Sequence, residues 1–68
     1  MISISQRIKE LRKENNISQL ELAEKCSVKQ SCVSKWERGA TLPDIIMLAK
    51  LAEIFSVSTD YLLGIVDY

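Results

Sequence analysis

Five hydrogen-bonding side chains within nine residues, Gln30, Ser31, Ser34, Lys35 and Arg38, are spaced so that a helix gathers them on one arc. At about 100° per residue, Val33 and Trp36 fall on the opposite side of that helix. The arc holds donors, acceptors and two cations, with no carboxylate. A glutamine amide matches an adenine edge with two bonds, a lysine donates to guanine, and a serine bonds a groove edge or a phosphate. A merely solvated face carries similar groups, though usually with glutamate as common as lysine. Both readings of the face stand at this point.

The elements that must position this arc are legible from caps and periodicity, and all of them are helices. Ser3 and Gln6 fit a capping box, after which Ile4, Ile8 and Leu11 recur at helical spacing and Asn15-Asn16 closes the helix. Ser18 and Glu21 form a second capping box, stapled by Ile17 and Leu22, and Leu22, Ala23 and Cys26 give this short helix its buried stripe. Ser27-Val28 turns the chain. The third helix runs from about Gln30 to Arg38 and stops at Gly39. Pro43 and Asp44 prepare a fourth, with Ile45, Leu48, Ala49, Ala52 and Phe55 facing inward. Ile46, Met47, Leu51 and Ile54 widen its stripe so far that it is expected to be the central helix. Ser58 caps a short fifth helix, stapled by Val57 and Leu62 and ended at Gly64. The expected architecture is an all-α, compact five-helix bundle, one domain over residues 1–68.

Sixty-eight residues, 47% of them apolar, are near the lower limit for a self-supporting core. No apolar run exceeds the five residues from Ile45 to Ala49, which excludes a membrane helix. The polar, mixed start after Met1 argues against a leader peptide, so a cytoplasmic location is expected. Cys26 and Cys32 are the only cysteines and histidine is absent, so no metal and no cofactor are expected. Both thiols are expected to be reduced. The zero net charge is unevenly spread. Residues 1–40 carry eight Lys/Arg against five Glu, whereas residues 41–68 carry Lys50 against Asp44, Glu53, Asp60 and Asp67. Such asymmetry suggests a basic face for an anionic partner and an acidic end turned away from it.

From Ile4 to Leu63 the sequence resembles the lambda-repressor and Cro-like (XRE) helix-turn-helix family. The resemblance rests on five blocks at matching separations. They are Arg7-Ile-Lys-Glu-Leu-Arg12, Ile17-Ser-Gln-Leu-Glu-Leu-Ala23, Val33-Ser-Lys-Trp-Glu-Arg-Gly39, Leu42-Pro-Asp44, and Val57-Ser58 followed by Tyr61-Leu-Leu63. It implies a lambda-repressor-like DNA-binding domain with its motif at about residues 19–38. Such a regulator, usually a repressor, places the third helix in the major groove of double-stranded DNA, as a dimer on a near-palindromic operator. Gln30, Ser31, Ser34 and Lys35 would then read bases, and Gln19, Lys29 and Arg38 would hold phosphates. Arg12 and Glu37 would form a structural ion pair. Each is, independently, a charge beside the apolar stripe of its own helix, which calls for a partner. Departures from the family pattern are Asn16, Ser27 and Ser56 where glycine is common, and Lys29 where a capping Ser or Thr is common.

Several residues admit two readings. Trp36 could stack on unpaired bases, but it shares the Val33 side and is expected in the core. Cys26 is expected there too. Cys32, at the edge of the outward arc, is a possible redox-sensitive position. Tyr61, Leu62, Ile65 and Val66 form an apolar end expected to self-associate into a homodimer, either free or once on DNA. The main rival keeps the fold but uses it for protein docking or dimerisation without specific DNA binding. An enzyme is disfavoured by the lack of histidine, of a glycine-rich phosphate loop and of paired carboxylates, and no small-molecule substrate is expected.

Overall fold

The computed structural model describes residues 3–68, and every regular element among them is an α-helix. The five are α1 (Ile4–Glu14), α2 (Gln19–Cys26), α3 (Gln30–Arg38), α4 (Ile45–Phe55) and α5 (Thr59–Leu63). Met1 and Ile2, which the expected domain includes, lie outside the described residues. No described helix is long and apolar enough to cross a membrane.

Local chemistry sets the boundaries. Ser18 and Glu21 close a reciprocal capping box, with Glu21 N–H donating to Ser18 Oγ at 3.0 Å and Ser18 N–H donating to Glu21 Oε1 at 2.9 Å. Those bonds hold the Glu21 carboxyl below the usual carboxylate range. Asp44 and Ser58 cap α4 and α5 by a single bond each, accepting from the Met47 and Tyr61 amides. Ser3 caps α1 through the Gln6 amide, but this box is only half made. The Gln6 side chain donates to Glu10 Oε1 at 3.4 Å instead of reaching back to the cap. Lys29, at the start of α3, has no side-chain cap bond.

All five helices end alike. The N–H of Ile17, Val28, Ala40, Val57 and Ile65 donates five residues back, to the carbonyl of Arg12, Ala23, Lys35, Ala52 and Asp60. This closure needs a left-handed residue just before the donor. Gly39 and Gly64 supply it without strain, whereas Asn16, Ser27 and Ser56 adopt φ of 56°, 59° and 55° with a side chain attached. A serine in that region costs roughly 1–2 kcal/mol.

Each helix sends one aliphatic side chain to the centre: Ile8, Leu22, Val33, Leu51 and Leu62 are all 0% exposed. At about 1.5–3 kcal/mol per fully buried side chain, this cluster is the principal apolar stabilisation. Ala23, Cys26, Trp36, Ala52 and Phe55 surround it. α3 packs mainly on α2 and α1, while α4 packs on α5 and α2.

That packing corrects the expectation for α4. Ile45 and Ala49 do not face inward, and Ile45 and Ile46 are 85% and 80% exposed. Only Leu51, Ala52 and Phe55 of this helix are buried. Met47 and Leu48 still pack against the core while Ile45 and Ile46 are left in solvent, and α4 is a flanking helix.

Candidate nucleic-acid interface

The turn Ser27–Lys29 sets α2 against α3, with Ala23 buried where the two approach. Val33 and Trp36 anchor α3 inward. Gln30, Ser31, Lys35 and Arg38 are exposed, as is Lys29 just ahead of the helix. Ser34 is half-buried, and its Oγ accepts from Arg38 Nε at 3.3 Å. It thus steadies Arg38 as well as sharing the arc. Cys32 is half-buried at the edge of the arc, with part of its side chain packed against the core. Burial raises the pKa of the Cys26 thiol despite the nearby Lys50 charge, which keeps it protonated in the core.

Glu37 is the one carboxylate of α3, and it is turned inward. Arg12 Nε donates to Glu37 Oε2 at 2.6 Å and Arg12 Nη2 to Glu37 Oε1 at 3.0 Å. The side chains are 13% and 4% exposed, respectively. Arg12 Nη1 also donates to the Ile17 carbonyl at 3.0 Å, which ties in the α1–α2 turn. Gln19, half-buried at the first position of α2, donates from Nε2 to Glu37 Oε1 at 3.1 Å. Burial alone would push the Glu37 carboxyl up. Hydrogen bonds from Arg12 and Gln19, with the charges of Arg12 and Lys9, outweigh it and hold this carboxyl below its ordinary range. The bond to Glu37 correspondingly raises the Arg12 pKa, against the cost of burial.

One internal cation is not apparent from the sequence. Arg7, counted above among the basic residues of the first half, is only 8% exposed. Its guanidinium lies 3.9 Å from the centre of the Tyr61 ring, and its Nε has no hydrogen-bond partner among the described residues. Arg7 and Arg12 are therefore internal, and Lys9, Lys13, Lys25, Lys29, Lys35 and Arg38 supply the outer charge of this half. A cation one residue before Ile8 is the only sequence signal, and its aromatic partner lies 54 positions away.

Leu62 needs a correction. It is 0% exposed in the centre of the core and has no surface to offer a partner. Tyr61 and Val66 are half-buried, and Ile65 is exposed.

Two short helices joined by a three-residue turn, the second presenting a polar and cationic arc, define a helix-turn-helix domain. The sequence model of the helix-turn-helix family matches residues 8–62, and the chain belongs to that family, in its lambda-repressor-like (XRE) branch. Among its relatives, the HTH-type transcriptional regulator ImmR of Bacillus subtilis (strain 168) is 41% identical over 93% of this chain and 50% of its own length. The P22 c2 repressor, solved in complex with a synthetic operator, superposes with a TM-score of 0.87 at 33% identity, over 93% of this chain and 96% of that one. SinR, a master regulator for biofilm formation solved in complex with DNA, superposes with a TM-score of 0.80 at 46% identity, over 88% of this chain and 97% of that one. The chain spans about half the length of the curated relative ImmR.

The Arg12–Glu37 pair makes a thermodynamic prediction. Breaking it by Glu37→Gln or Arg12→Met should cost up to about 3–5 kcal/mol in urea melts, with the double variant far less destabilised than the two costs combined. Because Glu37 titrates lower when folded, its contribution is complete at neutral pH and is lost as pH falls through and below the ordinary glutamate value near 4.3. Glu37→Gln should flatten that acid limb of the stability profile. Additive single effects would exclude the coupling.

Proposed function

We propose that this chain is the DNA-binding domain of a transcriptional regulator, a repressor, that reads double-stranded DNA by placing α3 in the major groove. The observation that carries the reading is the sorting of charge on α3. Its exposed arc holds only cations and neutral hydrogen-bonding groups, while its single acid is internal and neutralised. Phosphates repel carboxylates at close range, so such sorting serves an anionic partner and serves a protein-docking surface no better than a mixed face would. That the P22 c2 repressor and SinR are solved on DNA supports the same reading. In this proposal Gln30, Ser31 and Lys35 read base edges, with Ser34 beside them, and Gln19, Lys29 and Arg38 hold phosphates.

Binding of variants to an operator selected from random duplexes tests these roles. Gln30→Ala should cost about 1–3 kcal/mol and relax choice at one base-pair position per half-site. Arg38→Ala should weaken all sequences alike and lower the salt slope by about one per lost phosphate contact. An unchanged sequence profile for Gln30→Ala would remove α3 as the reading element. Failure to select any preferred duplex, with no salt-dependent DNA binding, would favour the docking alternative.

Dimerisation on the operator belongs to the same proposal. The apolar end retains Tyr61, Ile65 and Val66 after Leu62 is withdrawn, and Leu42, Ile45 and Ile46 add a second exposed apolar cluster just beyond α3. Sedimentation with a full palindromic duplex should show two chains per DNA. Ile65→Asp or the Ile45→Asp/Ile46→Asp pair should reduce that complex, according to which cluster lies between the copies. A strict one-to-one complex, or assembly unaffected by all these changes, would refute the pairing.

A further inference from the structure

Three helices converge on one carboxylate. Glu37 Oε1 accepts from Arg12 Nη2 at 3.0 Å and from Gln19 Nε2 at 3.1 Å, while Oε2 accepts from Arg12 Nε at 2.6 Å. The side chain of Gln19 makes no other hydrogen bond among the described residues. We propose that Glu37, locked by Arg12, is a positioning residue for phosphate binding: it fixes the Gln19 amide so that the second Nε2 hydrogen meets a DNA phosphate. This rests on the reading of Gln19 as a phosphate ligand.

Two physical arguments carry it. The first concerns the sense of the amide. An ionised carboxylate accepts only, so it must take the NH2 end of Gln19 and never the carbonyl end. One amide hydrogen is then used, and the other remains for an anion. A neutral side chain at position 37 would accept either end of the amide, and in one of the two orientations the Gln19 carbonyl would meet the phosphate. The second concerns charge. An unpaired carboxylate one hydrogen bond from the phosphate contact would oppose DNA binding. The bidentate arginine cancels it, so the relay carries direction without repulsion. Glutamine also loses much rotamer freedom when it is held, and Glu37 imposes that ordering before DNA arrives.

The test uses the whole chain, an operator selected from random duplexes and an unrelated duplex, with binding measured for Glu37→Gln, Gln19→Ala and the double variant. All measurements stay well below each variant's thermal midpoint, with helix content checked by circular dichroism. Glu37→Gln should weaken both duplexes by about tenfold per half-site with base preference unchanged. In the Gln19→Ala background the same change should have almost no further effect. A full Glu37→Gln loss that persists without Gln19 would overturn the relay and leave the phosphate role of Gln19 intact. No loss from Gln19→Ala itself would overturn that role and the relay together.

A second measurement needs no destabilising change. The side-chain amide signals of Gln19, assigned by their disappearance in Gln19→Ala, should lie away from those of the exposed glutamines in the free protein, because one proton is held by Glu37. One should be protected from exchange, and the other should shift on titration with the unrelated duplex. Exchange rates and shifts equal to those of an exposed glutamine, unchanged by the duplex, would contradict the proposal.

Discussion

A buried carboxylate must be neutralised, and in this domain that requirement organises the surface as well as the interior. Glu37 lies within the angle between α1, α2 and α3, with a side chain 4% exposed. Leaving it unpaired would cost several kcal/mol. Arg12 meets both of its oxygens and also the carbonyl that ends the α1–α2 turn. The pair thereby sets the orientation of α3 relative to the two helices it packs on. It also removes the only acid of α3 from the face that remains outside.

The helix endings perform the complementary task. A short α2 cannot hold its direction through length, so the angle between α2 and α3 depends on the turn. Val28 N–H closes on the Ala23 carbonyl, and Ser27 stands in the left-handed region to allow it. The backbone strain there, roughly 1–2 kcal/mol, is sustained by burial of Leu22, Ala23 and Val33 around the turn. The same closure at Ser56 delivers Val57 to the start of α5 and Leu62 to the core. Local turns and central packing thus specify the same geometry.

Helix existence and order are legible in the sequence because caps, staples and glycine stops act over a few residues. Ser18 with Glu21, Asp44, Ser58 and Gly39 all mark boundaries that the fold respects. Orientation in α4 is not legible in that way. Periodicity identifies an apolar stripe on a helix, but it does not say whether a neighbour extends far enough to cover it. Ile45 and Ala49 lie where none does. Long-range polar geometry is also beyond local pattern. The Gln19–Glu37 bond spans 18 positions, and Arg7 reaches a ring on α5. The arc on α3 is readable because it is contained within one helix, whereas its junction with α2 needs the fold.

In the proposed complex, DNA meets the face made by the start of α2 and the outer arc of α3. Backbone amide signals of the uniformly labelled chain, followed during titration with a selected operator duplex, address it directly. Shifts should concentrate at Ser18 to Leu20 and Lys29 to Arg38, with small changes along the second half of α4. Shifts confined to α4, α5 and the residues after Leu63, with α3 unmoved, would contradict it.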